Sequence, residues 1–109
     1  MQHASLENGR WAELSFPQQM ANIGSESSRV YNALVAGKQA RADSSFARFQ
    51  ELIDLTIRVG RQHESASSRS AMLEELCRFR ELFCDAFLSR NLTEIKSLNR
   101  YLDQFALVK

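Results

Sequence analysis

Arg80 is the side chain whose chemical surroundings most need an explanation. It lies in LEELCRFRELFCDAFL, Leu73 to Leu88. Wound into a helix at about 100° per residue, this stretch is apolar over roughly two-thirds of its circumference. Glu74, Arg78, Glu81 and Asp85 fill the narrow polar strip, whereas Arg80 projects between Leu73, Leu76, Phe83, Cys84 and Phe87. A guanidinium on a buried face needs a carboxylate, and Asp54, Glu26 and Asp85 are the candidates. Arg80 with Asp54 could hold an anion or form a buried ion pair. In the plainer alternative the arginine stem lies on apolar surface and its head reaches water at an edge.

The second constellation is Arg58-Val59-Gly60-Arg61-Gln62-His63, an R-x4-H spacing. It resembles the spacing in small four-helix nucleases of the HEPN class, where an arginine and a histidine from each of two chains build one RNA-cleaving site. That resemblance covers two residues and implies Arg58 and His63 as a catalytic pair. The class carries the pair near the start of its last helix, whereas here it straddles a helix end and a loop. A histidine in a loop is ordinarily a solvated one.

Other chemistries lack their parts. Neither His3 nor His63 has a glutamate three residues before it, so the Glu-x-x-His pairs of a di-iron bundle are missing. Cys77 and Cys84 have no neighbouring histidine or further cysteine to complete a zinc set. Ser65, Ser67 and Ser68 sit in a loop with no strand-to-helix elbow to activate one of them. The glycines at 9, 24, 37 and 60 are isolated and make no phosphate loop. The residues nominate no cofactor, no metal and no enzyme.

Composition narrows the partners. The chain has 109 residues, 44% hydrophobic and 25% charged, as in one soluble globular domain. A net charge of +1 advertises neither nucleic acid nor an anionic membrane. Arg58, Arg61, His63 and Arg69 make a locally basic region, but Glu64 dilutes it and no aromatic residue offers stacking. Eleven of the fourteen cations are arginine, the residue suited to fixed ion pairs and phosphate contacts. On one helix the Cα atoms of Cys77 and Cys84 would lie about 10 Å apart, too far for a disulfide, which suggests reduced thiols and a cytoplasmic location. The start of the chain lacks the basic and apolar runs of a signal peptide, and no apolar stretch is long enough to span a membrane.

The elements that must carry these residues are helices. Residues 1–10 read as a loose arm and 11–109 as a single domain, with Trp11 and Leu14 folding back on it. Ser15-Phe16-Pro17-Gln18 is a capping-box start for a first helix running to about Ala36, stopped by Gly37. Met20, Ile23, Val30, Tyr31, Leu34 and Val35 share its face, with Gly24 and Ser27 as small residues in the stripe. A second helix spans Gln39 to Val59 and stops at Gly60, burying Phe46, Phe49, Leu52, Ile53, Thr56, Ile57 and Val59. Arg48, Glu51, Asp54 and Arg58 occupy its outer side. Leu55 points out among those charges and is a candidate contact with a partner chain. Residues 61–69 read as a long loop, the apolar stretch as a central third helix, and Asn91-Leu92-Thr93-Glu94 as the start of a fourth. Ile95, Leu98, Tyr101, Leu102, Phe105 and Ala106 line that helix. The pattern predicts an all-α, up-down-up-down four-helix bundle. The third helix asks for more cover than its partners provide, so a homo-oligomer is expected, with a further protein partner as an option.

Three segments, WAELSFPQQMANIGSE (Trp11–Glu26), FARFQELIDLTI (Phe46–Ile57) and LCRFRELFCDAF (Leu76–Phe87), resemble a family of uncharacterised small bacterial helical-bundle proteins. The resemblance covers most of the chain beyond residue 10, implies a compact helical fold and brings no catalytic motif. More distantly, the bundle is similar to HEPN and nucleotidyltransferase-partner proteins of toxin–antitoxin type. The reading that results is a small cytosolic binding module acting as a homo-oligomer. The alternative is a HEPN-like ribonuclease or nucleotidyltransferase partner using Arg58 and His63.

Overall fold

The computed structural model describes residues 10–62 and 67–106, with side chains described for 10–60 and 71–103. A 3-10 turn, Trp11–Glu13, precedes four helices: α1 (Phe16–Val35), α2 (Gln39–Gln62), α3 (Ser67–Leu88) and α4 (Leu92–Ala106). Each helix packs on its sequence neighbour and α4 closes on α1, giving the up-down-up-down bundle. The first nine residues lie outside the described set.

The ends of the helices follow from local chemistry. The Ser15 hydroxyl accepts from the Gln18 amide at 3.2 Å while the Ser15 amide donates to Gln18 Oε1 at 2.8 Å, a reciprocal capping box. Gly37 turns α1 into α2 at φ +72°. The amide of Lys38 then reaches back to the Ala33 carbonyl at 2.8 Å. Arg90 makes the same kind of turn between α3 and α4 at φ +58°, and Asn91 Oδ1 accepts from the Glu94 amide at 3.1 Å to start α4.

Trp11 does fold back. It is buried against the side of α2, and its indole N–H donates to Thr56 Oγ1 at 3.0 Å. The Thr56 hydroxyl in turn donates to the Leu52 carbonyl at 2.9 Å, and the Gln19 side-chain amide donates to the Trp11 carbonyl at 2.9 Å. The outward placement of Leu55 does not hold. With α1, α3 and the Trp11–Glu13 turn all packed against α2, residues 52–60 are buried except Asp54 and Arg58. Leu55 is only 4% exposed, inside the core, so it meets no partner chain.

The centre of the bundle also differs from expectation. The closest backbone approaches are those of α1 with α2 and α4 rather than those of α3. Side-chain size explains this. Gly24 faces Leu102, where a Cβ would sit 3.8 Å from the leucine Cβ, and the buried Ser27 hydroxyl bonds Asn99 of α4. Between α2 and α3, by contrast, phenylalanines act as spacers. Phe46 stacks on Phe87 with centroids 4.0 Å apart, and Phe49 meets Phe83 at 4.2 Å. α3 therefore lies towards the outside, with Leu82 45% and Leu88 77% exposed. Val35, expected on a buried face, is exposed in the last turn of α1.

Two boundaries also shift. α2 runs through Gly60 to Gln62, and α3 begins at Ser67, so most of the expected 61–69 loop is helix. Gly60 is a contact point instead of a stop. A Cβ there would fall 2.8 Å from Leu73 Cδ2, so the missing side chain lets α3 seat its first large leucine on α2. Gly60→Ala should stabilise a Leu73→Ala background by about 1 kcal/mol through helix propensity, and stabilise the wild-type background distinctly less. Urea unfolding of the four chains of this cycle measures the difference.

Candidate functional site

Arg80 Nη1 donates to Asp54 Oδ1 across the α2–α3 seam. The pair is not buried: the arginine side chain is 30% exposed and the aspartate 55%. Arg80 lays its stem over the seam and turns its charge to the surface. Asp85 stays exposed, and Glu26 is engaged elsewhere. Beside this pair the Cys84 thiol points to Gln50 Oε1 at 3.7 Å. Burial pushes its pKa up, and Arg80 opposes that shift more weakly, so Cys84 is held as the protonated thiol. Both cysteines are free.

Arg58 stands on the exposed side of α2, within the helix instead of at its end, and it is engaged with another group. His63 lies outside the described residues. Among the described residues, no three His, Cys, Asp or Glu side chains gather as a metal set, and no helix is long and apolar enough to cross a membrane.

The largest charge arrangement is elsewhere, in the hairpin of α1 and α2. Glu26 is buried on α1, and its Oε2 accepts from Arg29 Nη1 at 2.8 Å and Arg48 Nε at 3.4 Å. Oε1 is buried without a hydrogen-bond partner among the described residues. Arg48, expected on the outer side of α2, is drawn inward by this carboxylate and also donates to Ser44 Oγ at 3.1 Å and Ser45 Oγ at 3.4 Å. Above Glu26 opens a groove of about 600 Å³ whose walls carry Arg29, Asn32, Lys38, Arg41, Ser45 and Arg48. Lys38 and Arg41 have no carboxylate partner among the described residues.

Sequence reading missed this groove because its cations come from two helices and a turn. Its trace was present: Arg41, Ser45 and Arg48 follow helical spacing on one stripe of α2, and Arg29, Asn32, Ala33 and Ala36 on the facing stripe of α1. The α2 stripe contains no carboxylate, and on the α1 stripe Glu26 stands one turn before Arg29.

A smaller notch of about 150 Å³ lies between α3 and α4, lined by Glu75, Arg78, Phe79, Leu82, Leu98 and Tyr101. Tyr101 stacks on Phe79 at 5.7 Å, and its hydroxyl donates to the Glu75 carboxylate. Burial, followed by the bond to Glu75 and its charge, pushes the Tyr101 pKa up to about 12. No family model matches the chain, and neither a curated protein nor a solved structure matches it.

Arg80→Met should change unfolding free energy by less than about 1 kcal/mol, because its pair is solvent-exposed. Arg48→Met removes a donor from a buried carboxylate and should cost about 1–3 kcal/mol. Denaturant titration separates the two. In a Tyr31→Phe chain, where Tyr101 is the lone tyrosine, phenolate absorbance should rise near pH 12 in the folded protein. Because the folded pKa lies above the usual 10, the stability that Tyr101 contributes is complete below pH 10 and lost as pH rises through 12. Glu75→Gln should move the absorbance midpoint down.

Proposed function

We propose that the protein is a cytosolic binding module that works as a homo-oligomer through the outer face of α3. The observation carrying this reading is Leu82, 45% exposed in the middle of α3 beside the apolar notch of Phe79, Leu98 and Tyr101. A leucine held open there has a place to go only when a second surface covers it.

The occupant that fits is a second copy. Ala71, Glu75, Arg78, Leu82 and Asp85 form an exposed stripe on α3 with alternating spacings of four and three, as on a helix that pairs with another. Two such stripes laid antiparallel about a two-fold axis near Leu82 set Arg78 of each copy against Asp85 of the other. The two leucines then meet at the notches, and both charge pairs are satisfied by the same rotation. The resemblance to small helical bundles without a catalytic motif supports binding over catalysis, and the half-buried free thiols of Cys77 and Cys84 suit a reducing compartment.

Light scattering tests this. The mass should climb with concentration from 12.5 kDa towards twice that value. Leu82→Glu should hold the chain at the monomer mass with an unchanged helical circular dichroism spectrum. A wild-type chain that remains monomeric at millimolar concentration disproves the reading. RNA cleavage abolished by His63→Ala would establish the HEPN-like alternative in its place.

A further inference from the structure

We infer that the groove between α1 and α2 binds a short phosphate chain, the pyrophosphate or triphosphate group of a small molecule. This site is separate from the α3 face and does not depend on self-association.

Charge count comes first. Arg29, Lys38, Arg41 and Arg48 line one groove, and Glu26, bonded to Arg29 and Arg48, offsets a single charge. A lone phosphate carries about −1.5 to −2 and would leave part of that excess unmet, whereas two or three linked phosphates match it. The positive end of α2 adds to the field, because the helix begins at Gln39 beside Lys38 and its first amides point out of its start. No acidic side chain lines the groove. Asp43, the nearest acid in α2, lies about 200° around the helix from Arg41 and is bonded to Gln39 at 2.7 Å.

The groove is also built instead of being a loose crowd of surface cations. Glu26 holds two guanidiniums from different helices at 2.8 and 3.4 Å, and Ser44 and Ser45 hold Arg48 further, so both cations are fixed in place beside the groove. Ser45, 1% exposed, lines the groove floor and accepts from Arg48 at 3.4 Å, which ties that guanidinium to α2. Gly37 and the Lys38 turn hold the two helix ends in register. The volume of about 600 Å³ falls in the range of small-molecule sites.

The lining also says what is not read. It contains no aromatic side chain on which a base could stack, and Asn32 is its one side-chain amide. Recognition should therefore stop at the phosphates. An extended nucleic acid backbone fits less well, because a chain of net charge +1 carries no broad positive field to follow it.

Isothermal titration calorimetry with sodium tripolyphosphate on the full chain is the test. Saturable one-to-one binding that weakens as sodium chloride is raised is expected, with ATP binding to within a few-fold of tripolyphosphate. Lys38→Gln with Arg41→Gln should weaken binding about a hundredfold, about tenfold for each lost charged contact. Both positions are exposed and unpaired, so the double variant should keep its helical spectrum. Arg90→Gln, in the α3–α4 turn, should bind as the wild type does, and so should Leu82→Glu, which keeps this test apart from the self-association one. The proposal is overturned if tripolyphosphate gives no saturable heat, if the double variant binds as tightly as wild type, or if single-stranded RNA binds while tripolyphosphate does not.

Discussion

The buried carboxylate of Glu26 is the constraint from which much of this bundle follows. A carboxylate at 7% exposure on the inner side of α1 must be met by cations, and Arg29 alone, largely in water, is a weak partner. Arg48 of α2 supplies the second contact, which fixes the rotation of α2 about its own axis. With Arg48 turned inward, Phe49 and Ile53 face the core, Ser45 is closed off from water, and Arg41 comes to stand over the same groove. One ionisable group thus sets both the register of the α1–α2 hairpin and the positive surface above it.

Side-chain volume then sets how far apart the helices stand. α1 offers Gly24, Ser27 and Ala33 to its neighbours and is approached closely on two sides. α2 and α3 meet through Phe46, Phe49, Phe79, Phe83 and Phe87, whose rings hold the backbones apart and fill the gap with stacked and tilted contacts. Gly60 is the exception on that side, where Leu73 comes down onto bare backbone. The bundle is accordingly tight at α1 and wider at α3, and the exposed Leu82 and Leu88 lie on the wide side.

Sequence reasoning reads well where the physics is local. Ser15 with Gln18, the turn at Gly37 and the cap at Asn91 depend on residues within a few positions of one another, and each forms where the pattern places it. Periodicity likewise finds Phe49, Ile53 and Ile95. It fails where a third body intervenes. Leu55 looks exposed on a helical wheel of α2 alone, but α2 is packed by α1, α3 and the Trp11–Glu13 turn together, and Leu55 lies in the core. α3 looks central because its composition is apolar, although burial is decided by which neighbours are near. Gly60 reads as a breaker since the leucine that fills its place comes from another helix. Arg80 and Asp54 do meet, and they meet in water, in keeping with the plainer reading of Arg80 and the outer-side placement of Asp54. The cationic groove needed two stripes to be superposed, and neither stripe is unusual alone.

The bond between Ser27 and Asn99 joins the first helix to the last across 72 positions of the chain. During synthesis, α1 and α2 can pair soon after both emerge, but the Gly24–Ser27 side of α1 stays uncovered until α4 has been made. Met20 and Tyr31 lie on the same face between those two small residues, so large apolar surface waits in water with them. The helix made last is therefore the one that removes this surface from contact with other chains.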